Sequence, residues 1–199
     1  MPLPTPAAHR QLRHRRTIDV QIFARGDGFW EVDAQLVDLK TRALHTSAGP
    51  RPPTRPIHDL LLRLVVDEKL NIVEAGSAST WVPHGAHCDD HGDAYAGLAG
   101  LNLLQGFRRA AQERLGGVRG CTHLTELTQV LPTAVIQAFA GEVIDTSGSG
   151  PDAKQPFQID RCHALRAEGE AVRLHYPRWH RKRDDSRSDH NPGATNIPG

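Results

Sequence analysis

TIDVQIFARGDGFWEVDAQLVDLK, residues 17–40, decides the fold. Thr17 to Ala24 alternates polar and apolar side chains, as a half-buried strand does. Asp27-Gly28 supplies a turn. The alternation resumes with Trp30, Val32, Ala34 and Leu36 on one face. Asp-Gly between two such runs predicts a β-hairpin.

Further strands follow outward. TSAGPRPPTRP (46–56) is too rich in proline for a regular element. LLLRLVV then predicts a buried strand, DEKL a turn and NIVEAGSA the next strand. Links this short exclude helical crossovers, so the four strands are expected to be antiparallel and paired in sequence. Residues 82–100 form a loop. LNLLQGFRRAAQERL predicts a helix over 101–115, with Leu101, Leu104, Phe107, Ala111 and Leu115 at helical spacing. A second helix is expected from about Thr122 to Phe139, with Leu124, Leu127, Leu131, Val135 and Ala138 as its stripe and a bend at Pro132. A short turn around Cys162 precedes AVRLHY, a strand or a last helix. The expected fold is α+β, an antiparallel sheet of three to five strands with helices packed on one face. It fills a single domain over 15–179, between a flexible basic N-terminus (1–14) and a disordered C-terminal tail (180–199).

Composition narrows the function. Net charge is +1, but residues 1–25 hold Arg10, Arg13, Arg15, Arg16 and Arg25 against Asp19 alone. No aromatic platform or groove-reading motif accompanies that charge, so nucleic acid is not an expected partner. No apolar run reaches the ~20 residues of a membrane span. The N-terminus lacks the apolar stretch of a secretory signal. Three cysteines at irregular spacing do not make a disulfide framework, and a cytoplasmic location is expected.

Four stretches could carry chemistry. GCTHLTEL (120–127) sets Cys121 just before a helix, where free amides and the helix dipole favour a thiolate. The alternative there is a small buried side chain. His123 and, one turn on, Glu126 are the candidate catalytic groups, although Glu126 could instead support the helix start. HGAHCDDHGD (84–93) crowds sulfur, nitrogen and oxygen donors suited to zinc or iron into a loop. Cys88 and at most one neighbour are expected to bind. His58-Asp59 opens a strand and can place one side chain on each face, as ligand or acid/base group; by itself the pair reads more simply as an aspartate capping a turn beside a half-exposed histidine. Cys162-His163 repeats the thiol–imidazole adjacency, and Cys162 is either a further ligand or a core residue.

DGFWEVDAQLVD, PIHDLLLRLVVD, LAGLNLLQGF and GCTHLTEL together resemble a bacterial family of proteins of unknown function, across most of residues 15–180. More remotely, the chain is similar to the iron–sulfur scaffold (IscU and SufU) family. That family has paired strands near Cys-Gly-Asp, a loop cysteine after them and a cysteine opening the final helix. The resemblance implies an IscU/SufU-like fold in which His58 or Asp59, Cys88 and Cys121 converge on one zinc or iron. His123, Asp59 or Cys162 would supply the fourth position. Histidine in place of the first cysteine favours a mononuclear site over a cluster. The function implied is metal binding, as a small lyase or hydrolase acting on a metabolite. The alternatives are a noncatalytic carrier serving a protein partner and a structural zinc fold.

Overall fold

The computed structural model describes residues 2–182, in two compact units that meet in sequence at Phe139/Ala140. The sequence leads one to expect a single domain over 15–179. The tail predicted over 180–199 lies almost wholly outside the described residues.

In the first unit, β1 (His14–Ala24) pairs antiparallel with β2 (Trp30–Lys40), from Ala24↔Trp30 out to His14↔Lys40. Gly28, at φ 84°, takes the left-handed conformation that closes the turn. β5 (His58–Val66) pairs with the other side of β2 and with β6 (Ile72–Trp81), giving one antiparallel sheet in the order β1-β2-β5-β6. Trp30, Val32, Ala34 and Leu36 of β2 and Leu60, Leu62, Leu64 and Val66 of β5 are buried on one face. The opposite face is polar, and there Arg63 donates two hydrogen bonds to Asp33.

The apolar face is covered by α2 (Thr122–Phe139), which touches β1, β2 and β5. Leu124, Leu127, Leu131 and Val135 are fully buried at i, i+3, i+7 and i+11. Phe139 ends the stripe, with its ring 4.6 Å from that of Trp30. Burying each such side chain contributes about 2 kcal/mol. Leu127→Ala is expected to cost roughly 2–5 kcal/mol, read as a lower urea midpoint at unchanged slope. α1 (Phe107–Leu115) packs against α2.

Two expectations need correction. The proline-rich stretch is not wholly irregular, because β3 (Leu44–Thr46) and β4 (Gly49–Arg51) form a small separate hairpin at its start. The predicted helix over 101–115 begins only at Phe107. Leu101 and Leu103 instead bond the backbone of Ile72 and Leu70, and Asn102 bridges Asn71. Residues 101–103 thus extend the strand pairing, and Gly106, at φ 67°, turns the chain into the helix.

The second unit gathers Ile159, Ala167 and Val172, with Leu165, Tyr176 and Trp179 packed on them. Its α3 (Glu170–His175) resolves the AVRLHY ambiguity in favour of helix.

Candidate metal centre

The site begins with a row of side chains across the sheet. On β2, positions 30, 32, 34 and 36 face inward, so Asp38 must as well. Arg16 of β1 and His58 of β5 are its register partners on either side. Cross-strand neighbours on one face meet, and these three do. Arg16 Nε and Nη2 donate to the Asp38 carboxylate at 2.8 and 2.7 Å, and His58 lies with Nδ1 2.9 Å from it. His14 Nε2 adds a contact at 3.0 Å. Asp38 is only 2% exposed.

Burial pushes the Asp38 carboxyl up. The hydrogen bonds from Arg16 and His58 and the Arg16 charge outweigh that and hold it at about 2. Its ionised oxygens only accept, so His58 carries its proton on Nδ1 and leaves Nε2 with a free lone pair. A carboxylate that orients an imidazole in this way is the usual support of a metal-binding histidine.

α2 brings the second imidazole. His123 stacks on His58 with ring centroids 3.8 Å apart and a 33° tilt. Donor atoms of Asp38, His58 and His123 all lie within 4.8 Å of one another. Burial lowers the pKa of both histidines, and their mutual repulsion lowers that of His123 further. Both are therefore neutral at pH 7, the form that binds metal.

Cys121 precedes the helix. Its carbonyl accepts from the Thr125 amide and the Tyr95 hydroxyl, which fixes its backbone. Gly120 is required beside it. A Cβ there would lie 2.9 Å from the Leu115 carbonyl oxygen and 3.0 Å from the Tyr95 hydroxyl. Cys121 Sγ lies 3.9 Å from His123 Nδ1. A zinc ion about 2.0 Å from nitrogen and about 2.3 Å from sulfur spans roughly 3.6 Å between them at a tetrahedral angle. The pair is thus close to the geometry a shared ion needs.

His58, Cys88, Cys121 and His123 all line one cleft of about 490 Å³, with Leu60, Val82 and Val118 among its apolar walls. That volume suits a small organic ligand. Every residue lining the cleft belongs to the first unit.

The other sequence candidates lie elsewhere. Asp59 points to the opposite face of the sheet from His58, where Gln35 Nε2 donates to it at 2.7 Å. Glu126 pairs with Arg16 Nη1 and so joins the Arg16–Asp38–His58 row from outside. Cys162 is exposed in the second unit. His87 is exposed and pairs with Asp90.

Asp38 and Arg16 escaped the sequence reading. The signal was present, because a carboxylate at position 38 continues the apolar face of β2. His91 was seen only as part of a cluster. It lines the cleft and its Nδ1 donates to the Gly92 carbonyl, leaving Nε2 buried without a partner.

Residues 14–137, more than half of the chain, match a family described as protein of unknown function (DUF2889). The chain belongs to that DUF2889 family. No curated protein and no solved structure matches it, so the IscU and SufU likeness gains no support. No helix among the described residues is long and apolar enough to cross a membrane.

The electrostatics give a stability prediction for the metal-free protein. Asp38 titrates at about 2 when folded against an ordinary 3.8, so its contribution is present above pH 3.8 and lost as pH falls to about 2. That contribution is about 2 kcal/mol. His58 and His123 are held below their ordinary 6.5, so the folded state also loses stability as pH falls below 6.5. Urea titrations between pH 7 and pH 2 should show both windows, and Asp38→Asn should shrink the lower one, to which Asp67 also contributes.

Proposed function

We propose that this DUF2889 protein is a mononuclear zinc or iron enzyme. His58, His123 and Cys121 hold the ion, and its remaining position opens into the cleft. Two observations carry this reading: Asp38, His58 and His123 donor atoms meet within 4.8 Å beside a small-molecule cleft, and Cys121 Sγ, outside that group, lies 3.9 Å from His123 Nδ1. Two nitrogens and one sulfur make an ordinary zinc set, and three protein ligands with one open position mark catalytic rather than structural sites. Bound there, the metal would polarise a carbonyl or lower the pKa of a water.

The chain's own residues do the rest. Asp38 fixes the tautomer and angle of His58. Arg16, itself paired with Glu126, anchors Asp38. Leu60, buried, and Val82 give the reacting groups an apolar wall. Cys88 and His91, in other parts of the cleft wall, are the groups that would move a proton or close the shell. The reaction class that fits is lyase or hydrolase chemistry on a small metabolite, in a reducing cytoplasm where the thiols stay free. A carrier needs no cleft of this size.

A metal-free thiol enzyme is the second reading, favoured by the 3.9 Å contact between Cys121 Sγ and His123 Nδ1. Elemental analysis of purified protein separates the two. The metal reading expects about one zinc or iron per chain, lost in Cys121→Ser and kept in Cys162→Ser. Metal-free protein that takes up no zinc on titration would refute it.

A further inference from the structure

Asp38 and Arg51 are the two buried charged side chains among the described residues. Asp38 is paired with Arg16. Arg51, 6% exposed, has no anion near it. Its Nη2 donates to the Val82 carbonyl at 2.9 Å, but its Nη1 is buried and has no hydrogen-bond partner. Its guanidinium carbon lies 5.1 Å from the centre of the Trp81 ring, and that of Arg55 lies 4.7 Å from the same ring. Neither arginine forms an ion pair among the described residues. Two guanidiniums therefore share one indole without a counter-charge.

That arrangement is costly unless something completes it. A lysine could shed its proton when buried, but arginine stays charged. Cation–π contact with Trp81 offsets only part of the lost hydration. The β3–β4 hairpin that carries Arg51 is tied to the cleft wall. The Ala48 amide donates to the Pro83 carbonyl at 3.2 Å, and Ser47 Oγ meets His84 Nδ1 at 2.7 Å. Val82, Pro83 and His84 all line the cleft. The orphaned guanidinium thus sits against the segment that walls the cleft.

We infer that Arg51, with Arg55 and Trp81, is a carboxylate-binding subsite adjoining the cleft, and that the ligand of this protein is a small organic acid. The planar guanidinium fork matches a carboxylate. The Trp81 ring offers apolar contact to the carbon skeleton beside it. A single planar negative charge sheds its water more readily than a phosphate dianion, which favours the carboxylate here. Assigning this acid as substrate rests on the catalytic reading of the cleft. The anion subsite itself stands without any metal.

The test is calorimetric titration of the full chain with benzoate, with benzamide as its uncharged counterpart and inorganic phosphate as the rival anion. Tryptophan fluorescence of the same samples, compared with that of Trp81→Phe, separates Trp81 from Trp30 and Trp179. Benzoate should bind at least about 10-fold more tightly than benzamide and than phosphate. Arg51→Gln should abolish the benzoate signal. Arg55→Gln, at an exposed position that leaves the fold undisturbed, should weaken benzoate several-fold without altering benzamide. Equal affinities for benzoate and benzamide would overturn the inference, as would tighter binding of phosphate, no benzoate binding at millimolar concentration, or an unchanged benzoate affinity in Arg55→Gln. If Arg51→Gln fails to fold, Arg55→Gln and the benzamide comparison decide. Zinc uptake measured on the same variants keeps the two readings apart. Benzoate binding lost with zinc retained is expected of the arginine variants, and zinc uptake absent with benzoate bound refutes only the metal.

Discussion

His123→Ala will lose its bound metal. Changing an outer partner of a metal site costs roughly 10–100-fold in affinity, and removing a ligand costs more. The expected fall in zinc affinity is on the order of 100-fold or beyond, read by competition with a chromophoric chelator. His58→Ala should match it, and the double variant should add little, because two ligands serving one ion are not independent. The fold should survive both changes. Both rings line the cleft and lie outside the fully buried apolar core. Wild-type zinc affinity in either variant would separate the stacked imidazoles from any metal.

Asp38→Asn is expected to lower both stability and metal affinity. The carboxylate takes both prongs of Arg16 and the proton of His58 in a buried setting. Asparagine keeps the shape but removes the charge and turns a donor toward donors. Breaking one side of a buried ion pair costs about 3–5 kcal/mol. The low end applies, since Arg16 keeps Glu126 and is itself 31% exposed along its side chain. A loss of about 3 kcal/mol corresponds to a fall in Tm of roughly 6–12 °C for a chain of this size. Zinc affinity should drop roughly 10–100-fold as His58 loses its orientation. Asp59→Asn is the matched control. That neighbour is held by Gln35 alone on the opposite face and should change stability by no more than about 0.5 kcal/mol. Equal melting temperatures for Asp38→Asn and the wild-type chain would show that the Arg16–Asp38–His58 row contributes little.

Much of the sheet was legible because its alternation is strict. The β1–β2 hairpin, the two following strands and the extent of α2 follow from period and turn residues. Leu101 and Leu104 misled because helical spacing cannot distinguish a helix from a strand extension in which the Leu101 carbonyl accepts from Ile72 and the Leu103 amide donates to Leu70. The β3–β4 hairpin was hidden by Pro50, which sits inside β4 opposite His45, and by Pro52 and Pro53 just after it. The site was half legible. His58, Cys88, Cys121 and His123 carry unusual chemistry and do line one cleft. Asp38 looked like one polar residue among many along a strand. Its role appears only once register places it between Arg16 and His58, and register is a property of strand pairs. Arg51 was invisible for a related reason, since nothing local says that an arginine in a proline-rich stretch will be buried.

The most direct test is anomalous diffraction from crystals of the full chain grown with zinc, recorded on both sides of the zinc absorption edge. The account predicts one strong peak about 2.0 Å from a nitrogen of His58 and of His123, and about 2.3 Å from Cys121 Sγ. A zinc peak held by other residues, or none at this position in zinc-saturated crystals, would contradict it.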